Sequence, residues 1–441
     1  MSRAKGLFLW AGAAASLSGV AFAAEPTTPT TASNDEVRAI VAEMMADAQG
    51  RSSLLQGGAT AGHDGRFFVA SPDGSFRLNV GGQIQFRYLV NIDDEDDTVN
   101  EDEFDVGFQT RRTKLDFTGN VINKDWTFRV LSAFERENGV GFLEEAWVQY
   151  NFGNGWKARW GQFKLPLLRE ELVSSSRQLA VERSIVNEAF TQDRSQGLEF
   201  IYEQEDWNVK LAFSDGLDSE NTDFTDTTLI SSGPGDFTVN GEADYAFTGR
   251  FEYKFAGTWS RFADFTSRQG DDFAALVGVA GHWQQAPNTS MLTDVDRQTF
   301  QFTGDVSLEG DGWNAFGALI GRYENFNGAG PAGEDFEPFD WGFVVQGGYR
   351  FAPETELFAR FDALMLDDDE RAIEEDFYGF ITVGVNQYYA GHAAKASVDV
   401  LWSMEATDEL VGTGFANTGI GLSGSSEDNE FVIRLQFQLL F

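Results

Sequence analysis

The sequence contains no cysteine and only three histidines among its 441 residues. Disulfides and thiolate zinc sites are therefore excluded. His63, His282 and His392 lie far apart in the chain and match no metal-ligand or catalytic-triad spacing. Carboxylates are so numerous that no pair stands out as a general acid and base. We therefore expect a protein that is not an enzyme and that holds no metal or other cofactor.

Basic residues are also scarce, with 32 Lys and Arg against 70 Asp and Glu, for a formal net charge of -38. A chain of this charge repels phosphate backbones, which excludes nucleic acid as a partner. Long apolar runs are missing too, because beyond the first two dozen residues none approaches the roughly 20 that a membrane-spanning helix requires. If this chain lies in a membrane, it crosses with strands.

The N-terminal residues have the pattern of an export signal. Arg3 and Lys5 precede an apolar run over residues 7–20, which ends in the small-residue pattern of residues 21–23. This predicts a secretory signal peptide over residues 1–23. A membrane anchor is the alternative, but the run is short and two glycines interrupt it.

Residues 24–66 are predicted to be a periplasmic linker that contains one short amphipathic helix. Asn34 is a suitable N-cap, and the apolar residues over 37–45 follow helical spacing, which predicts a helix over residues 34–49. About four turns are too few to be stable alone. We expect the helix to pack on the periplasmic rim or on its copies in an oligomer; a partly ordered tether is the alternative.

From Phe76 onward the periodicity changes to alternation of apolar and polar residues, and this pattern recurs along the rest of the chain. Segments of roughly ten residues with one apolar and one polar face, separated by turn residues, are typical of transmembrane barrels. The sequence therefore predicts an all-β fold, a transmembrane antiparallel β-barrel of about 16 strands over residues 67–441.

Aromatic residues strengthen this prediction. Trp207, Trp313 and Trp341 stand near segment ends, as in the interfacial girdles of such barrels, although strands favour aromatics in general. The alternation over residues 431–441 continues up to the terminal Phe441. Chain ends usually fray into water, so this apolar ending favours a barrel strand, and it resembles the terminal strand of bacterial outer-membrane proteins.

Four long, acidic segments interrupt the pattern, at residues 93–105, 215–244, 324–340 and 367–376. Alternating short turns and long loops is the asymmetry expected of a barrel whose long loops face outward from the cell. The acidic runs are most simply solvated loops. Calcium binding at the first of them and a surface structural or adhesive barrel, with partner-binding loops and little conductance, are the alternatives.

Cations collect on the face opposite the apolar one, which would line the lumen. They are Arg77, Arg87, Arg112, Lys114, Arg129, Lys157, Arg159, Arg350, Arg360, Lys395 and Arg434. Such a lining attracts small anions, as rings of Arg and Lys do in anion pores. Carboxylates on the same face temper the field, namely Asp116, Glu135, Glu145, Glu199, Glu252 and Asp399. A lumen of mixed sign with weak selectivity is the alternative.

One stretch resembles a known family. The motifs are Phe108–Arg112, Lys124–Trp126, Gly161–Pro166, Glu170–Leu172, Ser174–Arg177, Glu182–Ser184, Ala189–Phe190, Arg194 and Gly197. In this order they resemble the phosphate-selective porin O and P family. The resemblance implies a homotrimer of sixteen-stranded barrels in the outer membrane of a Gram-negative-type bacterium, contact with outer-membrane lipid, and passive diffusion of small hydrophilic solutes or anions such as phosphate.

The resemblance also implies a constriction loop over about residues 165–196. Pro166 lacks an N–H and should end the preceding strand, which releases this segment. Residues that would meet anions there are Lys164, Arg169, Arg177, Arg183 and Arg194. The alternative is that such cations pin the loop to the wall through ion pairs. The sequence departs from the family because residues 165–196 contain no lysine, so the resemblance supports the fold more than the substrate.

Overall fold

The computed structural model describes residues 58–441 except 94–103, 137, 192, 218, 223–242, 287–296, 327–334, 336, 372, 374 and 413–418. The expected signal peptide, the helix over 34–49 and most of the long acidic loops lie outside the described residues. Residues Ala59–Phe441 form one compact unit. No helix in the described part is long and apolar enough to cross a membrane.

In the part of the chain that the structure describes, eighteen strands form the framework, and sixteen of them close into a barrel. Two short strands, β1 (Thr60–His63) and β2 (Phe67–Ala70), precede the wall. The wall strands are β3 (Arg77–Ile92), β4 (Phe104–Asn120), β5 (Trp126–Phe134), β6 (Gly141–Gly153), β7 (Trp156–Lys164), β8 (Arg194–Glu203), β9 (Trp207–Ser214), β10 (Tyr245–Ala256), β11 (Ala274–Ala286), β12 (Arg297–Glu309), β13 (Trp313–Phe326), β14 (Phe339–Ala352), β15 (Thr355–Met365), β16 (Phe377–Tyr388), β17 (Ala394–Ser403) and β18 (Phe431–Leu440).

Each wall strand pairs antiparallel with the next, and β18 closes the ring by pairing with β3, from Phe431 opposite Ile92 to Leu440 opposite Gln83. Closure leaves no unpaired edge, which a barrel in lipid requires. The facing of β10 is representative, because Phe247 is exposed on the outside while Arg250 is buried on the inside. The predicted antiparallel barrel of about 16 strands is confirmed.

A short hairpin of β1 and β2 extends the wall below the end of β18. The strand β2 pairs with β3 from Phe67 opposite Val80 to Ala70 opposite Arg77, just beyond the point where β18 stops. The hairpin therefore occupies the same edge of β3 as β18. The strand β1 begins at Thr60, inside the segment that the sequence assigned to the linker.

The segment between β7 and β8, residues 165–193, folds into the barrel, and we call it the inner loop. It contains α1 (Arg169–Leu172), a 3-10 turn at Ser175–Arg177 and α2 (Ile185–Phe190). Pro166 follows the end of β7, as the sequence predicts. The Ser184 hydroxyl caps α2 by accepting a hydrogen bond from the Asn187 N–H at 2.9 Å. Burial of the apolar face of α2 then fixes the loop against the wall.

The apolar face of the inner loop packs against the inside of β15 to β18. Ile185, Val186 and Phe190 lie in one buried cluster with side chains of these strands, including Leu364 and Phe380. Burying such side chains stabilises the docked loop by about 1.5–3 kcal/mol each. An apolar cluster inside a barrel is possible here because the loop, rather than water, covers it.

Two further segments occupy the same half of the interior. Residues 419–422, in the connection between β17 and β18, bring Ile420 and Leu422 into the apolar cluster of the inner loop. The turn between β10 and β11 brings in Phe265, which packs against Val173 and Leu179 of the inner loop. These segments pack into one half of the interior, and open space is present beside β4 to β9.

Candidate pore

Two large cavities lie beside the inner loop. The outer chamber, of ≈ 520 Å³, is lined by β4, β5, β6 and the inner loop, and the inner chamber, of ≈ 700 Å³, extends toward the short turns and the terminal Phe441. Both linings include Lys114, Ser175 and Arg194. The chambers therefore adjoin at these three residues, which we call the junction.

Ion pairs fix the side chains around the junction. Glu144 accepts both Lys114, at 2.5 Å, and Arg194, at 3.1 Å. Lys164 pairs with Glu171 of the inner loop at 3.0 Å, and Arg183 pairs with the same carboxylate at 3.2 Å. Burial alone would raise the pKa of Glu171, but Arg183 and Lys164 outweigh it and hold that pKa well below its usual range. The junction is thus a fixed network of charges.

Two strand irregularities add charges to this network. Gln85 pairs with Arg112 and the next residue, Phe86, with Thr110, so Arg111 is an extra residue in β4. In the same way Glu144 is extra in β6, because Leu131 pairs with Glu145 and Ser132 with Leu143. A bulge interrupts the alternation of facing. As a result Arg111 and Glu144 line the outer chamber together with Arg112.

Glu182, near the tip of the inner loop, is held by three arginines of the wall. Arg87 lies 2.6 Å and Arg112 2.8 Å from its carboxylate, and Arg111 forms a third pair. Burial alone would raise the pKa of Glu182, but the three guanidinium groups lower it well below its usual range. The carboxylate is almost completely buried, so Glu182 fixes the loop rather than contacting passing solutes, whereas Arg111 and Arg112 also line the outer chamber.

The wall cations expected to line the lumen divide into three groups. Those covered by inward-folded segments are buried and bonded: Arg87 to Glu182, Arg360 to Asp362, Lys395 to the Gln178 carbonyl, Arg434 to Asp399, and Arg350 to the Pro353 carbonyl. Near the short-turn rim, Arg77 pairs with Asp64 and Lys157 with Glu203. The residues that line the chambers are Arg112, Lys114, Arg129 and Arg159.

The five cations expected on the constriction are also placed differently from one another. Arg169 is buried against the wall, where it donates to the Ser307 hydroxyl and the Phe262 carbonyl, and it lines neither chamber. Arg183 braces the inner loop through Glu171. Lys164 and Arg194 line the inner chamber as members of ion pairs, and Arg177 lines it as an exposed side chain.

The inner chamber carries an excess of positive charge. Its cationic lining residues are Arg66, Lys114, Arg129, Arg159, Lys164, Arg177, Arg194, Lys210 and Arg268. Its carboxylate lining residues are Asp116, Glu145, Glu199 and Asp264. Within the described part of the chain, Arg177, Lys210 and Arg268 form no ion pair. These three side chains are therefore available to a mobile anion.

The outer chamber is balanced in charge but contains one unusual carboxyl group. Glu188 lies on α2, lines this chamber, and is half-buried. Burial, and then the charge of Glu182, raises the pKa of Glu188 to about 7. Glu188 therefore changes charge near neutral pH, while Glu182 and Glu171 beside it stay ionised.

Sequence reasoning missed several lining residues. Arg111 and Glu144 were missed because bulges interrupt alternation, although the adjacent like charges Arg111-Arg112 and Glu144-Glu145 were a usable signal. Lys210 faces inward by simple alternation in β9. Arg66 and Arg268 lie in connections between strands, where no periodicity indicates a direction.

A closed sixteen-stranded barrel with an apolar outer face, a charged interior and an inward-folded loop has the architecture of an outer-membrane porin. The family model described as phosphate-selective porin O and P matches residues 78–240, which confirms the resemblance seen in the sequence and indicates a passive diffusion channel rather than an enzyme. No curated protein matches the chain.

Solved structures share the fold. The outer membrane channel DcaP of Acinetobacter baumannii is 14% identical with a TM-score of 0.53, over 84% of this chain and 99% of that one. An anion-selective porin from Comamonas acidovorans is 11% identical with a TM-score of 0.51, over 82% and 99%. The trimer form of OmpT from Vibrio cholerae is 10% identical with a TM-score of 0.50, over 83% and 100%. At these identities the likeness shows the fold alone.

Proposed function

We propose that this barrel gives passive diffusion to small hydrophilic solutes and prefers anions, with phosphate among them, over cations. The excess of cationic lining residues in the inner chamber carries the proposal. A chamber walled by protein and lined with one sign of charge raises the local concentration of the opposite ion. Arg177, Lys210 and Arg268, which form no ion pair within the described residues, are the anion contacts, together with Arg194 at the junction and Lys164 on the inner chamber.

The overall charge of -38 does not oppose this preference. Exposed charges separated by more than the Debye length of about 8 Å are largely screened at physiological salt. An ion inside the chamber therefore experiences the charges that line it more strongly than exposed charges farther away than this length. The structurally similar protein from Comamonas acidovorans is an anion-selective porin, which is consistent with this assignment.

Reversal potential in a salt gradient across a planar bilayer tests the proposal. We expect the purified protein to conduct with anion preference. Arg177→Ala should lower the anion-to-cation permeability ratio about twofold, since one unit charge acts across a few ångströms of wet lumen. Lys124→Ala, in an exposed short turn outside both chambers, is the matched control and should change nothing.

Two outcomes would contradict the proposal. Cation preference would refute the anion assignment while leaving the channel intact. Absence of conductance would favour a surface structural or adhesive barrel.

We further propose a homotrimer, which the trimer form of the Vibrio cholerae protein supports. Heat-modifiable migration on a gel and chemical cross-linking test it, and a protein that remains monomeric in detergent and in bilayers would contradict it.

A further inference from the structure

The hairpin of β1 and β2, which lies outside the sixteen-stranded ring, sends one cationic side chain into the inner chamber. Arg66 lies in the turn of this hairpin, between His63 and Phe67, and lines the chamber. Its guanidinium lies 2.9 Å from the Asp116 carboxylate on β4. A residue that precedes the barrel wall in sequence is thus part of the pore lining.

The route of the Arg66 side chain depends on a residue that lacks a side chain. Gly81 faces inward on β3, in direct register with Asp116 on β4. A Cβ at position 81 would lie 3.3 Å from both Cδ and Nε of Arg66 and 3.0 Å from the Phe441 carbonyl oxygen. The Arg66 side chain therefore passes along the inner surface of β3, directly against Gly81, to reach Asp116. Gly81 lies next to the place where β18 ends and β2 begins to pair with β3.

The hairpin itself is held by a small set of contacts near this joint. Strand β2 makes four residue pairs with β3. Arg77 pairs with Asp64 in the hairpin turn at 3.5 Å and lies over the Phe68 ring at 4.2 Å. These contacts set the position of Arg66 beside the chamber.

Asp116 is the carboxylate with which Arg66 of the hairpin forms an ion pair. It also accepts Arg129 at 2.9 Å, and Arg129 pairs in turn with Glu145. Without Arg66, the single cation Arg129 would stand between two carboxylates. The Arg66 charge therefore decides whether this side of the chamber is balanced or net negative.

We propose that Arg66 is a selectivity-determining residue, by which the segment preceding the barrel sets the charge of the inner chamber at its short-turn end. The inference rests on the proposed function, since it concerns the ion preference of that same lumen. The hairpin thus extends the wall and also places a positive charge in the lining of the inner chamber.

Site-directed charge placement tests the proposal in one folded protein. The natural chain contains no cysteine, so Arg66→Cys gives a single thiol. Reaction of that thiol with a cationic ammonium thiosulfonate should restore the anion-to-cation permeability ratio of the natural protein. An anionic sulfonate reagent should lower the ratio about fivefold relative to the cationic one, because the two adducts differ by two unit charges. Lys124→Cys, treated in the same way, should respond to neither reagent.

A second set of variants tests whether the position of the Arg66 side chain, and not only its presence, affects ion selectivity. Gly81→Val should displace the Arg66 side chain from Asp116 and lower the permeability ratio as Arg66→Ala does. Combining Gly81→Val with Arg66→Ala should then add nothing. Heat-modifiable migration verifies that each variant forms the barrel before its conductance is compared.

The outcomes are distinguishable from failure of the proposed function. If the natural protein conducts with anion preference but both adducts of Arg66→Cys give the same permeability ratio, the inference about Arg66 is wrong and the channel assignment stands. If the natural protein does not conduct, both are wrong. A graded response, with the ratio following the charge placed at position 66, supports the proposal.

Discussion

Replacing Glu182 with alanine should loosen the inner loop without opening the barrel. The substitution leaves Arg87, Arg111 and Arg112 without their shared carboxylate. Removing one partner of a buried ion pair costs about 3–5 kcal/mol, because the remaining charge stays buried and uncompensated. At about 1.4 kcal/mol per factor of ten, this raises the population of the undocked loop by a factor between about a hundred and a few thousand.

Amide hydrogen exchange can follow this change at defined positions. The Val181 N–H donates to Asp399 at 2.9 Å, and the Ile185 N–H donates to Asp362 at 2.7 Å, so both amides are protected only while the loop is docked on the wall. We expect faster exchange at these two amides in Glu182→Ala and unchanged exchange in the wall strands, which keep their ladder hydrogen bonds.

Glu203→Ala is the matched control. Glu203 pairs with Lys157 at 2.9 Å, but its side chain is 45% exposed. An exposed pair contributes only about 0–1 kcal/mol. Exchange at Val181 and Ile185 should therefore be as slow in Glu203→Ala as in the natural protein. Equal exchange in Glu182→Ala and in this control would refute the view that the arginine cluster holds the loop.

Further predictions concern the same loop. Because the pKa of Glu188 is about 7, the natural protein gains a negative charge in the outer chamber as pH rises through that value. Its anion preference, measured by reversal potential from pH 5.5 to 8.5, should therefore fall as pH rises. Glu188→Gln should remove this pH dependence. A pH profile shared by the variant would contradict this reasoning. Phe190→Ala should cost about 3–5 kcal/mol, since the ring is fully buried, and should lower the urea concentration at which the inner loop becomes accessible to protease.

The wall of the barrel could be predicted from the sequence because each strand faces lipid on one side and the polar interior of the barrel on the other. Lipid requires apolar side chains on one face and the lumen accepts polar ones on the other, so a strand such as β10 shows its facing residue by residue. The alternation over Phe431–Leu440 carried the same information. The secondary structure of the inner loop could not be predicted from the sequence. Its apolar residues pack inside the barrel, and their spacing matches neither the alternation of a strand nor the period of a long helix.

The pore lining was only partly predictable. Alternation correctly indicates that Arg360 and Arg434 face inward, but it cannot indicate that other segments of the chain cover them. That depends on contacts between residues far apart in sequence, such as the pairing of Glu182 with Arg87. Bulges at Arg111 and Glu144 broke the alternation beside the inner loop, and Arg66 lay in a turn.

The pairing of β18 with β3 also constrains how the barrel can assemble. It joins strands separated by most of the chain, with Phe431 opposite Ile92, so it closes the longest covalent loop in the wall. Contacts of high sequence separation form slowly, because chain entropy is lost before any stabilisation is gained. Until then the facing edges of β3 and β18 remain open, and an open edge readily recruits foreign strands. An assembly intermediate of this protein must therefore be shielded at two edges that are neighbours in the finished barrel.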